Sequence, residues 1–283
     1  MRHAPWKILL ATLIPLLCAL PAAAQEAPEA EPAAQTSEEA AQAPPLVELV
    51  VNVPAGRLAV VRHGEVVTTY PVSVGTPKHP TLTGRYEVSK AVWNPWWHPP
   101  KSFWARNEKP TPPGPKNPMG RVKLYYEPLF FIHGTAETAK LGAPASHGCV
   151  RMSNDDVIAL AMRLHEHATP EIGRGELERI STSGKTREIP FVRPVPLMID
   201  YELVEVSDGR VVLHPDVYRR GGGRERIAER IVEALEAHGV AAESVDRDEV
   251  ALLADEARRN GGSRPVDELL APSREAVAAT LGE

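Results

Sequence analysis

Leu46-Val47-Glu48-Leu49-Val50-Val51-Asn52-Val53-Pro54-Ala55-Gly56-Arg57-Leu58-Ala59-Val60-Val61-Arg62 decides the fold. The run is rich in β-branched residues, breaks once at Pro54-Ala55-Gly56 and resumes, which reads as strand, turn, strand. A second turn at His63-Gly64 leads into another extended run from Glu65 to Val74, and Arg85 to Trp93 adds a further one. Short strands separated by turn residues, with no helical pattern between them, indicate a mainly β domain, sandwich-like or barrel-like, rather than a doubly wound α/β sheet.

Upstream of Leu46 the texture changes. Residues 25–45 are almost wholly Ala, Glu, Gln and Pro, too poor in apolar surface to offset the entropy of ordering, and read as a disordered linker. Residues 1–24 carry basic Arg2, His3 and Lys7, an apolar stretch from Ile8 to Leu20 interrupted by Pro15, and small residues at Ala22-Ala23-Ala24 before Gln25. That is the pattern of a secretory signal peptide, the alternative being an uncleaved anchor. The stretch falls short of the roughly 20 apolar residues a spanning helix needs, so no stable membrane span is expected. Cys18 follows Leu16-Leu17 rather than a small residue, which speaks against a lipid-modified cysteine. The expected location is therefore outside the cytoplasm. Loss of Arg2 and Lys7 with the leader moves the formal charge from -5 to -7, and no nucleic-acid footprint results.

Downstream, Asn94 to Pro118 is rich in proline and aromatics, with Trp93, Trp96, Trp97 and Trp104 in or beside it. A loop of that length is either a lid or binding element, or a segment pinned to the core by its tryptophans; the two are compatible. Ser153-Asn154-Asp155-Asp156 predicts a helix start with Ser153 as N-cap, the helix ending before Pro170. Ile189 to Val206 and Arg210 to His214 read as extended, joined by a turn at Ser207-Asp208-Gly209. From Arg224 the spacing of Ile227, Ile231 and Leu235, then Val250, Leu253 and Ala254, then Val277 and Leu281, predicts a helical tail over 221–283, to which no role is assigned.

The chemistry concentrates in Phe130-Phe131-Ile132-His133-Gly134-Thr135 and Ala145-Ser146-His147-Gly148-Cys149-Val150-Arg151-Met152. Without the leader, Cys149 is the only cysteine, in a compartment where paired cysteines are the usual structural choice. A lone cysteine can be an inert small hydrophobe, but His147, Gly148 and Arg151 around this one favour a nucleophile. A thiol needs a base and, for attack on a carbonyl, amide donors for the oxyanion. His133 and His147 both qualify as base. His147 is crowded along the same segment, whereas His133 can face the sulfur from an adjacent strand, so His133 is the expected base, with Gly134 orienting it through its carbonyl and His147 shaping the pocket. The amides of Gly148 and Cys149 are the expected oxyanion donors. Arg151 either stabilises the thiolate or clamps a substrate carboxylate, or is a structural ion pair. A zinc site of His133, His147 and Cys149 is a rival whose spacing fits poorly; no metal and no cofactor are expected.

At these residues the chain resembles the L,D-transpeptidase catalytic domain family (YkuD type) of bacterial cell-wall enzymes. The two motifs carry the resemblance, supported by Tyr70-Pro71-Val72-Ser73-Val74-Gly75, Thr83-Gly84, Asn94-Pro95-Trp96-Trp97 and Gly114-Pro115-Lys116-Asn117-Pro118-Met119-Gly120. Pro194-Val195-Pro196-Leu197 with Tyr201, and Pro215-Asp216-Val217-Tyr218, are similar to an extension found in one branch of the family. The resemblance covers Leu46 to Tyr218 and implies a catalytic domain over 46–220. It also implies Cys149 as nucleophile, His133 as base, the Gly134 carbonyl as its partner, and the Gly148 and Cys149 amides as oxyanion donors. Ser146, His147 and Arg151, with Trp97, would line the substrate site. The implied partners are peptidoglycan stem peptides. The implied reaction forms a Cys149 thioester with release of D-Ala, then transfers the acyl group to an amine on a second stem. An amine on a wall-anchored protein, or water in carboxypeptidase trimming, are the alternative acceptors. A non-enzymatic wall-binding module would show a damaged motif, and this one is intact.

Overall fold

The computed structural model describes residues 47–271; the expected leader (1–24), the linker (25–45), and Val277 and Leu281 lie outside the described residues. The opening run folds as read: β1 (Glu48–Asn52) and β2 (Arg57–Arg62) form an antiparallel hairpin, and β3 (Glu65–Pro71) pairs with β2. Leu49, Val51, Leu58 and Val60 alternate onto the buried face, the period of two that a half-buried sheet demands. A short β4 (Val74–Gly75) follows, then β5 (Gly84–Trp93), β6 (Val122–Glu127), β7 (Phe130–Thr135), β8 (Pro144–Ser146) and β9 (Val150–Ser153).

The main sheet runs β3-β2-β1-β10-β5-β6-β7-β9, where β10 is Arg187–Asp200. It is mixed: β1 with β10 and β7 with β9 are parallel, and the other pairs antiparallel. Its two ends approach each other. Ser73, just past edge strand β3, forms an antiparallel bridge with Arg151 of the opposite edge strand β9, through Ser73 N–H to Arg151 O at 2.9 Å and Arg151 N–H to Ser73 O at 2.8 Å. This pairing brings the sheet toward a barrel and covers an edge that would otherwise be left open. Strand β10 holds Pro190, Pro194 and Pro196 ahead of Leu197–Asp200, the stretch that pairs with β1, so these prolines face a ladder on the β5 side alone; there the register breaks between Pro190 and Val195, a bulge that takes in Pro194.

Helix α1 (Asn154–Ala168) starts as its sequence predicts. Ser153 Oγ accepts from the Asp156 N–H at 3.0 Å, and Asp155 and Asp156 fill the first turn. Val157, Leu160, Ala161, Leu164 and Ala168 are buried in the core of the main sheet. On the same helix His165 is buried; its Nε2 accepts from Trp93 Nε1 at 3.1 Å, so Nδ1 carries the proton and bonds Thr169 Oγ1. A second helix, α2 (Arg174–Thr182), was not evident from apolar spacing, because only Leu177 and Ser181 are buried along it.

The chain beyond Asp200 builds a second core. Strands β11 (Val204–Ser207) and β12 (Arg210–Leu213) form a hairpin turned by Asp208 and Gly209, both at positive φ. Helices α3 (Arg224–Ala237) and α4 (Arg247–Asn260) follow, and β13 (Gly262–Pro265) returns to pair with β12. Over its described residues the tail is helical as expected and supplies one strand besides. Leu203, Val211, Leu213, Ile227, Ile231, Leu235, Leu253 and Leu269 are among the side chains of this core, so a boundary at 220 runs through it. Mainly β with a few helices is thus the architecture. Among the described residues no helix is long and apolar enough to cross a membrane.

Candidate active site

Strands β7 and β9 position the expected pair. Their parallel register sets Ile132 against Val150 and His133 against Arg151. Counting back one residue places Cys149 beside Phe131, so period-two alternation puts Cys149, Arg151, Phe131 and His133 on one face of the sheet. On the other side β6 pairs Lys123 with His133 and Tyr125 with Phe131, which adds Lys123 and Tyr125 to that face.

His133 is buried, and its Nδ1 lies 2.9 Å from the Gly134 carbonyl oxygen. A carbonyl can only accept, so Nδ1 carries the hydrogen and the neutral ring presents the Nε2 lone pair. Burial pulls the His133 pKa down to about 3, with Arg151 and Lys123 adding to the effect against the Gly134 hydrogen bond. Burial likewise pushes the Cys149 thiol above its usual range, opposed by a hydrogen bond to the Phe131 main chain and by the charges of Arg151 and Lys123. The same two cations act on both groups. At neutral pH this environment favours a neutral thiol and a neutral imidazole rather than a preformed ion pair.

The residues around the cysteine are tied to one another. Gly148 sits at φ +109, and a Cβ there would come within 2.7 Å of the Phe130 ring, so only glycine fits. Ser146 Oγ accepts from the Gly148 N–H at 3.0 Å and donates to the Cys149 carbonyl. The Gly148 amide is therefore engaged internally, and of the expected oxyanion pair the Cys149 amide is the one that remains to be assigned. His147 is exposed and packs its ring 4.9 Å from that of His79. Arg151 pairs with Glu137 at 3.5 Å, while its Nε is buried with no partner among the described residues. Trp97 is held in the long loop by a two-way main-chain bridge to Thr111, both bonds 2.9 Å. Among the described residues no hydrogen bond or ring contact joins it to Cys149. Nor do three or more His, Cys, Asp or Glu side chains gather there as a ligand set.

Three neighbours of the site carry no signal in the motifs. Lys123 holds its ammonium over the rings of Tyr125 and Phe131, at 4.6 and 4.5 Å, and burial pulls its pKa down to about 8. Leu129, at φ +68 in the two-residue turn between β6 and β7, puts its carbonyl 3.7 Å from Cys149 Sγ. Thr81, fully buried, donates from Oγ1 to the Gly148 carbonyl at 2.9 Å. Each reaches the cysteine through strand register or loop packing, which sequence spacing does not encode.

The model of the YkuD L,D-transpeptidase catalytic domain matches residues 47–174. A Fuscovulum blasticum protein, named provisionally as an L,D-transpeptidase in the ATP synthase subunits region, is 36% identical over 94 residues, covering 32% of this chain and 50% of that protein. ErfK/SrfK of Escherichia coli K12, also named provisionally as an L,D-transpeptidase, is 31% identical over 118 residues, 38% of each chain. The chain thus spans half or less of these two relatives. The solved L,D-transpeptidase from Mycobacterium smegmatis is 17% identical, covers 55% of this chain and 58% of its own, and superposes with a TM-score of 0.36, a likeness on which nothing here rests. Residues 47–174, which hold both the histidine and the cysteine motif, are thus similar to the L,D-transpeptidase catalytic domain family.

Proposed function

We propose that this protein is an exported, periplasmic L,D-transpeptidase that acts on peptidoglycan stem peptides through a Cys149 thioester. The observation that carries the reading is His133. Its Nδ1 is committed to the Gly134 carbonyl, its Nε2 is left as the basic nitrogen, and its strand sets it on the sheet face that Cys149 shares.

His133 Nε2 takes the thiol proton as Sγ attacks the carbonyl between the L-centre of a diamino acid and the terminal D-Ala. A C–S bond forms, and the carbonyl electron pair moves to oxygen, where the Cys149 amide stabilises it. The intermediate collapses with cleavage of the C–N bond; the imidazolium returns its proton to the departing D-Ala amine. An amine on a second stem then attacks the thioester, His133 receives its proton, and the thiol leaves with a proton regained. Arg151 and Lys123 supply positive potential on this face throughout, and Arg151, with an unused Nε, suits a stem carboxylate. Ser146 fixes the loop, while His147 and Trp97 border the approach to it.

Digestion of purified sacculi after exposure to the protein, with separation of the fragments by mass, tests the reading. New dimers joined between two diamino acids, with free D-Ala, are expected. Tripeptides without dimers would move the assignment to trimming, attachment of a wall protein would move it to anchoring, and unchanged fragments would remove it.

A further inference from the structure

The extension around Tyr218 reaches back into the site. Tyr218 Oη donates to the Gly75 carbonyl at 2.8 Å and accepts from the Thr81 N–H at 3.0 Å. Thr81 Oγ1 in turn accepts from the Gly75 N–H at 2.8 Å and donates to the Gly148 carbonyl at 2.9 Å. Tyr218 is itself fixed: its N–H donates to Tyr201 Oη at 2.8 Å, Tyr201 Oη donates to Asp216 at 2.6 Å, and the Arg220 guanidinium lies over both rings, 5.3 and 5.0 Å from their centres. A hydrogen-bonded chain therefore runs from Asp216 to the residue before the nucleophile.

The Gly148 carbonyl and the Cys149 N–H belong to one planar peptide unit and point in opposite directions. Holding the carbonyl fixes the direction of the amide. Glycine at φ +109 has no side chain to restrain that plane, so the restraint must come from partners. Resting on the acyl-transfer reading above, we propose that Tyr218 is a positioning residue which, through Thr81, aims the Cys149 amide at the oxyanion that forms during attack. In this role the extension after β10 serves the chemistry as well as the second core.

The test compares two reactions of the same sulfur in the full chain. Alkylation by iodoacetamide needs the thiolate but develops no oxyanion; opening of a carbapenem ring needs both, as a C–S bond forms, the lactam C–N bond breaks and the ring nitrogen gains a proton. Both rates are followed by intact-protein mass, and the quotient is compared only for variants whose urea midpoints show them fully folded, because an unfolded thiol is alkylated but not acylated. Tyr218→Phe keeps the ring stacked on Tyr201 and removes only the hydroxyl; Thr81→Val removes Oγ1 with little change of shape. In each the quotient of acylation to alkylation is expected to fall about tenfold, a fraction of the loss from deleting an oxyanion donor outright. Thr81→Ser should restore it, and the double variant should lose no more than the larger single one. An unchanged quotient in Tyr218→Phe and Thr81→Val, or equal losses in both reactions, would overturn the proposal. A wild-type protein that is alkylated but acylated by neither carbapenem nor stem peptide would remove the underlying reading, and this proposal with it.

Discussion

Cys149 and His133 lie where their proton equilibria work against an ion pair. The sulfur is pushed toward the thiol and the imidazole toward neutrality, both chiefly by burial. Two expectations follow. First, His133→Gln should lower kcat/KM by about 10²–10⁴-fold while Cys149 remains open to alkylation at high pH, because the variant lacks the base and keeps the sulfur; equal loss in both reactions would mean that the site had collapsed. Second, alkylation of Cys149 should keep rising with pH past the ordinary thiol range. The acid limb of kcat/KM should lie well below the usual imidazole range, since His133 in the free enzyme takes up no second proton until about pH 3. A plateau in alkylation already reached at pH 7 would instead reveal a preformed thiolate. The motif residues were legible in sequence because they are contiguous: Ser146, Gly148 and Cys149 form one loop. Lys123 was not, because only the pairing of β6 with β7 sets it opposite His133.

At the scale of elements, one contact cluster ties the main sheet to the second core. Glu205 of β11 accepts from both Arg57 of β2 and Asn52 of β1, at 2.7 and 3.0 Å, and lies 3.3 Å from His214. These donors hold its carboxyl down at about pH 2, with His214 the largest influence. Glu205→Ala should therefore cost about 2 kcal/mol in a urea titration, the range for a hydrogen bond to a partly buried charge, and Glu205→Gln should cost less. A loss below a few tenths would show the contact to be solvent-screened. The strands themselves were readable from their alternation, and α1 from its cap. Three features were not. Helix α2 is too exposed to leave an apolar period, β13 emerges only because β12 needs a partner, and the bulge in β10 depends on which strands flank its prolines.

For the molecule as a whole, burial of neutral histidine links stability to pH. His133 and His165 titrate in the fold at about 3 and about 4, below the 6.5 of a free imidazole. Below pH 6.5 the unfolded chain therefore binds protons that the folded one does not, and stability falls with pH until the folded values are reached; Glu205, depressed from 4.5 to about 2, adds to the loss below pH 4.5. The urea midpoint should drop between pH 7 and pH 5 by an amount equivalent to about 4 kcal/mol, roughly 2 for each imidazole, and a flat profile would mean that these imidazoles are open to water. The hydrogen-bonded run from Tyr201, which packs against the second core, through Tyr218 and Thr81 to Gly148 belongs to this scale too, and no short window of sequence contains both ends of it. The most direct test of the account is to mix the full chain with a stem tetrapeptide, quench in acid and weigh the protein. It should gain the mass of the tripeptide acyl group on Cys149, with one D-Ala released for each adduct, and neither Cys149→Ala nor His133→Gln should do so. A protein of unchanged mass whose cysteine still reacts with iodoacetamide would contradict it.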